Sequence, residues 1–456
     1  MNALDLKDIC LQLDIEAPMK SVNIKHVGTS IREINDYTLI FHLNRKQELN
    51  TDKFNHLRGC YIITDQPILK EMNDVDDYFI YVVDVEAAYK RFVDYYRNSL
   101  DIKTVAVTGT CGKTTTKEMI KQCLNERYNV KGTIRSKNAL RFNHDYLMEL
   151  DETTDYAVFE TAITEPGHIV YSCNFFKPNI GVITNIGIDH LNGCKTLENY
   201  IQTKGEMLAG LEYKGILIIN GDDENINQLN LNAFKGSIIR FGIIENADFY
   251  ASEIVYLKDG MNFTLIHNEK EYRAYVPGIG EHNVYNALAT LAVLYSLGID
   301  LTEAITMLRS FKPVSSHLEF HEGLNDSTII DDTWSSNPTS VKAAFEAFKT
   351  HTKKKVAVLG NIAYLGEHAK EQCKKIGKML IDYNIDYLIT KDAFSREIGK
   401  QARVNGMDPK HIFNTYNEDE MVKTLESLLD SDTMVLFKVS MFDKSMIKIM
   451  NHFIKK

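Results

Sequence analysis

Long apolar runs and an excess of basic residues are both missing from this 456-residue sequence. No stretch approaches the ~20 uninterrupted apolar residues that a membrane-spanning helix needs. The residues after Met1 are partly acidic, whereas a signal peptide begins with basic ones. The formal net charge is −10, which argues against the basic surface that nucleic-acid binding requires. We therefore expect a cytoplasmic protein that has no membrane span and binds no nucleic acid.

Paired cysteines are missing as well. The seven cysteines are odd in number, scattered, and include no CxxC pair, so the sequence favours a reducing compartment over a disulfide framework. No Ser/His/Asp or Cys/His arrangement indicates a side-chain nucleophile. Internal repeats and low-complexity tracts are also absent. Any chemistry must therefore depend on another kind of site.

The composition that remains is that of a globular protein, with 44% hydrophobic and 25% charged residues. At ~150 residues per domain, the length predicts about three domains. We place them at 1–102, 103–312 and 313–456. The first has short strand-like runs such as "YTLIFHL" and "GCYIIT" followed by an amphipathic helix, "EAAYKRFVDYYRNSL". This pattern predicts a small N-terminal α/β domain.

Strands and helices alternate through the second and third domains. Such alternation predicts a parallel sheet covered by helices, with ligands at the carboxyl ends of the strands. Between 248 and 277 the apolar residues alternate instead with period two, which predicts an added antiparallel patch. The fold class is therefore α/β, with a central P-loop ATPase domain and a C-terminal Rossmann-like domain.

The segment "TGTCGKTTTKEM", 108–119, joins a predicted strand to a predicted helix. Backbone N–H groups and the helix dipole at such a junction favour phosphate oxygens. A usual P-loop has glycine where this chain has Val107, so the loop is shorter. The alternative is a Gly-rich turn with a surface lysine. The predicted ATP-binding residues here are Gly109, Thr110, Cys111, Gly112, Lys113, Thr114 and Thr115.

Cys111 lies within this loop, and a helix N-terminus can lower the pKa of a thiol. A redox switch is therefore one interpretation of this residue. We prefer the other, that Cys111 is a small residue tolerated at a variable position of the loop.

Further candidates follow the next predicted strands. Glu160 ends "YAVFE", and Asp189 and His190 follow "NIGVITNIGI". In an open α/β sheet these positions share the crevice that holds the loop. Lys204 lies on a predicted helix. Each also has an ordinary structural interpretation: a surface Glu in a turn, a structural His, a solvent-facing Lys.

Taken together, these residues resemble the Mur ligase family, ATP-dependent enzymes that join amino acids or peptides to the bacterial cell-wall precursor. The motifs "GTCGKTTT", "GVITNIGIDHL", "KGEM", "GEHNVYNALAT", "IIDDTWSSNPTS" and "VAVLGNIAYLGEH" occur in the family's order, over roughly 104–370. The segments "KEM", "DDTWSSNPTS" and "VLGNIAYLGE" are most similar to the F-type members, which add D-alanyl-D-alanine to UDP-N-acetylmuramoyl-tripeptide.

The resemblance implies ATP and two Mg²⁺ ions. Lys113 would cradle the β- and γ-phosphates, and Thr114 and Glu160 would hold the first Mg²⁺. His190, Glu160 and Lys204 would bind the second, with Lys204 carbamylated to N6-carboxylysine, because an ammonium cannot ligate a cation. The implied catalytic set is thus Lys113, Glu160, His190 and Lys204.

The same resemblance assigns the rest of the nucleotide site. Asn283 and Asn286 would contact adenine, and Asp332 would meet the ribose when the domains close. Helix capping is the alternative for the two asparagines, and it suits Asn283 better. The implied reaction activates a carboxylate as an acyl phosphate, which an amine attacks to give an amide. We expect a monomer with small-molecule or peptide substrates.

Departures from the family pattern concentrate on the substrate side. The segment "SKNALRFNHDYLMEL" lacks the family's double Asn, and "TSIREINDYTLIFHL" only faintly matches its UDP-sugar motif. His317, Trp334 and Ser335 stand where Arg, Tyr and Asn are usual, and "LFKVSMFDK" replaces a Lys-Gly-Ser-Arg sequence. Two alternatives therefore stay open: a ligase with another carboxylate or amine, as in a peptide natural product, and a non-catalytic nucleotide-binding relative. A third alternative with the same chemistry is a folylpolyglutamate synthetase, but the separate N-terminal domain and the segment "DDTWSSNPTS" fit it poorly.

Overall fold

The chain was analysed as a computed structural model. It describes residues 1–20, 22–46, 56–66, 78–244, 247–349 and 351–455. Three main sheets occur in these ranges, together with a two-stranded antiparallel ribbon near the N-terminus. No helix in this part of the chain is long and apolar enough to cross a membrane.

The first main sheet has four parallel strands in the order β3-β4-β5-β6. The elements of this region are β1 (Leu4–Asp5), α1 (Leu6–Leu13), β2 (Asn23–Ile24), β3 (His26–Gly28), β4 (Thr38–Phe41), β5 (Tyr61–Thr64), β6 (Phe79–Tyr81) and α2 (Val85–Asn98). Asp84 caps α2 by accepting hydrogen bonds from the N–H groups of Glu86 and Ala87. The buried face of α2 packs on this sheet through Phe92 and Tyr96.

The central sheet has nine strands in the order β15-β14-β13-β12-β11-β10-β7-β9-β8. Its strands are β7 (Lys103–Thr108), β8 (Val130–Gly132), β9 (Tyr156–Glu160), β10 (Ile180–Ile183), β11 (Ile216–Asn220), β12 (Ser237–Gly242), β13 (Phe249–Tyr256), β14 (Gly260–His267) and β15 (Lys270–Pro277). Its helices are α3 (Lys113–Asn125), α4 (Asn143–Met148), α5 (His168–Phe176), α6 (Leu191–Cys194), α7 (Leu197–Gly205), α8 (Met207–Gly210), α9 (Glu281–Ser296) and α10 (Leu301–Arg309).

Parallel pairing in this sheet determines where the site forms. Strand β7 lies between β10 and β9, and both of these neighbours run parallel to it. The carboxyl ends of the three strands, and the loops that follow them, therefore meet at one edge. The strands β13, β14 and β15 are antiparallel to one another, as the alternating pattern predicts.

The third sheet has six strands in the order β16-β17-β21-β18-β19-β20, all parallel except for the β16–β17 pair. Its strands are β16 (Glu319–Glu322), β17 (Thr328–Asp332), β18 (Lys354–Leu359), β19 (Tyr387–Thr390), β20 (Ile412–Asn414) and β21 (Thr433–Lys438). Its helices are α11 (Pro338–Lys349), α12 (Ala369–Asp382), α13 (Ala393–Val404), α14 (Glu418–Leu428) and α15 (Lys444–Phe453).

The predicted α/β class with three regions is confirmed, and most predicted strands and helices form. The sequence analysis did not identify six short strands of two to four residues: β1, β2, β3, β8, β16 and β20. Segments this short carry too few residues to show a period. The exact domain limits remain predictions.

The first region is joined to the central one by a shared core and by Arg97. Tyr146, Phe159 and Phe175 of the central region belong to the same apolar cluster as Phe92 and Tyr96 of α2. The buried Arg97 guanidinium donates to the carbonyls of Phe176, Leu100 and Ile102 and to the Thr104 hydroxyl, at 2.7–3.1 Å. Thr104 lies on β7, so this network holds α2 against the strand that leads to the loop.

Replacing Arg97 by Met should therefore destabilise the protein, because three buried carbonyls lose their donor. Each unsatisfied buried group costs ~1–3 kcal/mol, so we expect a loss of about 3 kcal/mol in the free energy of unfolding, measured by urea denaturation. Arg91→Met is the matched control. Within the described part of the chain, the guanidinium of the exposed Arg91 on the same helix donates to the Leu13 carbonyl alone. Equal effects of the two substitutions would contradict the role given to Arg97.

Candidate active site

The loop between β7 and α3 forms a cradle whose backbone conformation requires glycine. Gly109 and Gly112 have φ of 149° and 79°. A Cβ at Gly109 would lie 1.9 Å from the Thr184 hydroxyl, and one at Gly112 would lie 2.4 Å from the Asn286 side-chain oxygen. Gly112 is the N-cap of α3 and gives it no side-chain cap. No N-cap side chain therefore bonds the first N–H groups of α3. An anion site at a helix N-terminus requires N–H groups that are free of such a cap.

Asn185 holds the loop from the neighbouring strand end. Its backbone carbonyl accepts from the Thr110 N–H at 2.9 Å, and its side chain accepts from the Cys111 N–H and donates to the Cys111 carbonyl. Val107 occupies the first-glycine position of a usual P-loop, yet it is a fully buried residue of β7. The loop is shorter because the strand extends into it.

Lys113 is half-buried at the start of α3, and its Nζ donates to the Thr110 carbonyl at 2.9 Å. The ammonium therefore lies against the loop and can reach an anion bound there.

Cys111 lacks the lowered thiol pKa that a redox switch needs. Burial raises the pKa of its thiol to about 11, so the helix N-terminus does not make it a reactive thiolate.

Glu160 is buried at the end of β9, only 4% exposed, which overturns the alternative of a surface Glu. Its Oε2 accepts from the Thr114 hydroxyl at 2.8 Å, and its Oε1 accepts from the Asn138 amide at 2.6 Å. No basic side chain among the described residues lies within ion-pair distance of it. A buried carboxylate with only neutral partners is costly on its own, so the position is suited to a cation.

Lys204 is also buried, at 1% exposure, which overturns the solvent-facing alternative. Its Nζ donates to the Thr108 hydroxyl at 3.2 Å and lies 5.4 Å from the centre of the Tyr200 ring. In the described ranges it has no carboxylate within ion-pair distance. Burial, together with the charge of Lys113, holds the pKa of Lys204 well below its ordinary value. This shift favours the neutral amine over the ammonium more than in an exposed lysine.

His190 follows β10 in the left-handed conformation, with φ of 49°. Its Nε2 lies 4.0 Å from an Asp189 oxygen, and burial lowers the pKa of the imidazole. Its ring stacks on Tyr364 with centroids 5.2 Å apart. The neutral imidazole that results is the form that ligates a metal.

The third region makes two further contacts with the segment around His190. The Asn337 amide donates to Asp189 at 3.3 Å, and the Asn192 N–H donates to the Tyr364 carbonyl. Sequence analysis did not identify Asn138, Tyr364 or Asn337. Asn138 lies in the irregular segment "SKNALRF". Tyr364 and Asn337 belong to the third region and are distant in sequence from the residues that they contact.

Asn283 and Asn286 are both buried on α9, and Asn286 faces the loop. Its side-chain oxygen accepts from the Thr116 hydroxyl at 3.2 Å. The Asn283 amide donates to the Ile279 carbonyl. The N-cap of α9 is Gly280, so neither asparagine caps the helix and that alternative is wrong.

Asp332 ends β17 and forms a buried ion pair with Lys438, with an N–O distance of 2.7 Å. Burial lowers the pKa of the facing His282, on the first turn of α9, to about 4. His317 stacks on Trp334 beside them, with centroids 5.8 Å apart. Two of the residues that depart from the family pattern thus contact each other between the central and third sheets.

Comparison with known proteins agrees with this geometry. The Mur ligase middle domain profile matches residues 107–294, and that of the Mur ligase glutamate ligase domain matches 318–441. A UDP-N-acetylmuramoyl-tripeptide–D-alanyl-D-alanine ligase of Buchnera aphidicola is 30% identical over 350 residues, covering 77% of this chain and 75% of the relative.

Two solved structures share the fold. MurF from Acinetobacter baumannii superposes with a TM-score of 0.82 at 24% identity, covering 99% of each chain. MurF ligase from Thermotoga maritima, solved in complex with ADP, gives 0.77 at 20% identity over 94% of this chain and 97% of that one. The resemblance noted in the motifs is confirmed. Similarity at this level over three quarters of both sequences means that the chain belongs to the Mur ligase family, as an ATP-dependent ligase that joins a carboxylate to an amine.

Proposed function

We propose that the chain joins the carboxylate of UDP-N-acetylmuramoyl-tripeptide to the amine of D-alanyl-D-alanine, as the names of its relatives describe. The observation that carries the proposal is the meeting of Lys113, Thr114, Glu160, His190 and Lys204 at one sheet edge. A scaffold protein has no physical need for such a set, which argues against the non-catalytic alternative. The four-stranded N-terminal sheet suits a separate substrate domain. This feature argues against the alternative that the chain is a folylpolyglutamate synthetase.

The residues fit two Mg²⁺ ions. Thr114 and Glu160 supply a hydroxyl and a carboxylate next to the phosphate loop, and oxygen ligands of this kind suit Mg²⁺. Glu160, His190 and a carbamylated Lys204 would hold the second ion. The bound ions would neutralise charge on the transferring phosphate.

Carbamylation of Lys204 follows from its environment. A neutral amine is the form that attacks CO₂, and the lowered pKa that burial gives Lys204 makes this form more accessible than in an exposed lysine. The addition forms a C–N bond and releases one proton. The carbamate then offers two anionic oxygens where the ammonium offered none.

The reaction proceeds in two steps. A substrate carboxylate oxygen attacks the γ-phosphorus of ATP, and ADP leaves. The amine then attacks the carbonyl carbon of the acyl phosphate, the C–O bond breaks, and phosphate leaves with that oxygen. Lys113 and the N–H groups at the start of α3 stabilise the charge on the transferring group. Asn337 of the third region contacts Asp189 and Tyr364 stacks on His190, so this region would help to exclude water from the site.

Asn283 and Asn286 would contact the adenine, since they lie on α9 and Asn286 reaches Thr116 of α3. Asp332 would contact the ribose, since it lies near His282 at the start of α9. The domains would be 1–102 for the UDP-sugar substrate, 103–312 for ATP, and 313–456 for closure. Seven free cysteines support a reducing compartment, and we propose a cytoplasmic monomer.

Phosphate release should require both substrates together with ATP and Mg²⁺. Lys113→Met should lower kcat at least ~100-fold, because loss of one preorganised donor to the transition state costs that much. Lys214→Met is the control, since the Lys214 side chain is 72% exposed and, among the described residues, forms an ion pair with Glu212 alone. Turnover only with another carboxylate or amine would favour the divergent alternative, and silence across a broad panel would favour the non-catalytic one.

Carbamylation has its own test. Protein equilibrated with ¹³C-bicarbonate should show a carbamate carbon resonance in NMR, and Lys204→Arg should lack it. Lys214→Arg should keep the resonance. Absence of the signal in the unsubstituted protein, at neutral and mildly alkaline pH, would show that Lys204 is not a metal ligand of this kind.

A further inference from the structure

Lys117 lies on α3 three residues after Thr114, on the same helical face. Its side chain is fully buried, at 0% exposure. The ammonium donates to the Glu118 carboxylate, to the Thr133 carbonyl at 2.9 Å and to the Arg135 carbonyl at 2.6 Å. All three donors of the ammonium are therefore used.

The two carbonyls belong to the irregular segment 133–138, which follows β8. The Tyr146 hydroxyl holds this segment from the other side, accepting from the Ile134 N–H and donating to the Lys137 carbonyl. The segment ends at Asn138, whose amide donates to Oε1 of Glu160. These side-chain contacts support the path of the segment, together with backbone hydrogen bonds from the Thr133 N–H to the Val158 carbonyl and from the Lys137 N–H to the Ile134 carbonyl.

Both oxygens of Glu160 are consequently linked to one helix. Thr114 bonds Oε2 directly, whereas Lys117 holds the segment that brings Asn138 to Oε1. The Thr133 hydroxyl also accepts from the Glu160 N–H at 2.9 Å. The carboxylate therefore lies in one orientation relative to the phosphate loop.

We propose that Lys117 is a positioning residue that acts through Asn138 to orient the Glu160 carboxylate for its metal ion. The proposal rests on the proposed function, because it takes Glu160 as a metal ligand. It adds a residue that touches neither nucleotide nor metal. Partners of this kind, which orient a ligand, affect metal affinity by ~10–100-fold.

Lys121 provides a matched control on the next turn of α3. Its side chain is only partly buried, and its Nζ lies 3.4 Å from the same Thr133 carbonyl; among the described residues it reaches no carbonyl closer to Asn138. Loss of a lysine contact with Thr133 would be shared by the two positions, whereas thermal unfolding reports the cost of removing the fully buried Lys117. An effect transmitted through Asn138 would be confined to Lys117.

The experiment measures Mn²⁺ affinity by electron paramagnetic resonance in the presence of ADP, and ADP affinity in EDTA by calorimetry. Lys117→Met should weaken Mn²⁺ binding ~10-fold or more and leave ADP binding without metal unchanged. Asn138→Ala should behave in the same way, and the double variant should be no weaker than either single one. Lys121→Met should stay close to the unsubstituted protein. Thermal unfolding checks that each variant is folded, and Lys117→Gln replaces Lys117→Met if the latter is not.

Glu160→Gln separates the two claims. If it weakens Mn²⁺ binding while the Lys117 variant does not, the positioning role is wrong and the proposed metal site stands. Additive losses in the double variant would also overturn transmission through Asn138. If Glu160→Gln binds Mn²⁺ normally, the proposed metal site is wrong, and the positioning role of Lys117 is wrong as well.

Discussion

The carboxylate of Glu160 is buried at the end of β9 with a hydroxyl and an amide as its partners and, within the described chain, no ion pair. Such a charge is stable only when a cation balances it. Among the described residues, neither nearby lysine forms an ion pair with Glu160: Lys113 donates to its own loop, and Lys204 donates to the Thr108 hydroxyl. In the proposed site, metal and phosphate would bind together, since each supplies the charge that the other lacks.

Closure by the third region follows from the same constraint. An acyl phosphate must be kept from water until the amine arrives. Asn337 and Tyr364 contact Asp189 and His190, so the region that would shield the intermediate also contacts the loop that we propose binds metal. Shielding and metal binding would then be coupled through one loop, which gives a physical reason for joining two α/β regions across the site.

The predictable part of this protein is local in sequence. The strand, loop and helix around Gly112 could be predicted because seven consecutive residues carry the phosphate chemistry and the flanking periods are clear. Glu160 and His190 could be placed at one edge because an alternating α/β pattern implies parallel strands, whereas Lys204 was assigned to the site by the family resemblance. The order of the strands, with β7 between β10 and β9, came from the structure.

Other parts could not be predicted, because their roles depend on contacts distant in sequence. Asn138 lies in a segment that departs from the family pattern, and nothing local relates it to Glu160. Tyr364 meets His190 from a different sheet. The burial of Lys117 and Lys204 was equally hidden, since a lysine on a helix is normally exposed.

The most direct test of the acyl phosphate mechanism traces one oxygen atom of the substrate carboxylate with an isotope label. If a carboxylate labelled with ¹⁸O is activated by transfer of the γ-phosphoryl group, one labelled oxygen must leave with the released phosphate. UDP-N-acetylmuramoyl-tripeptide labelled at its terminal carboxylate should give ¹⁸O-phosphate in equal amount to the amide, as measured by mass spectrometry. Amide formation accompanied by unlabelled phosphate would contradict the acyl phosphate mechanism.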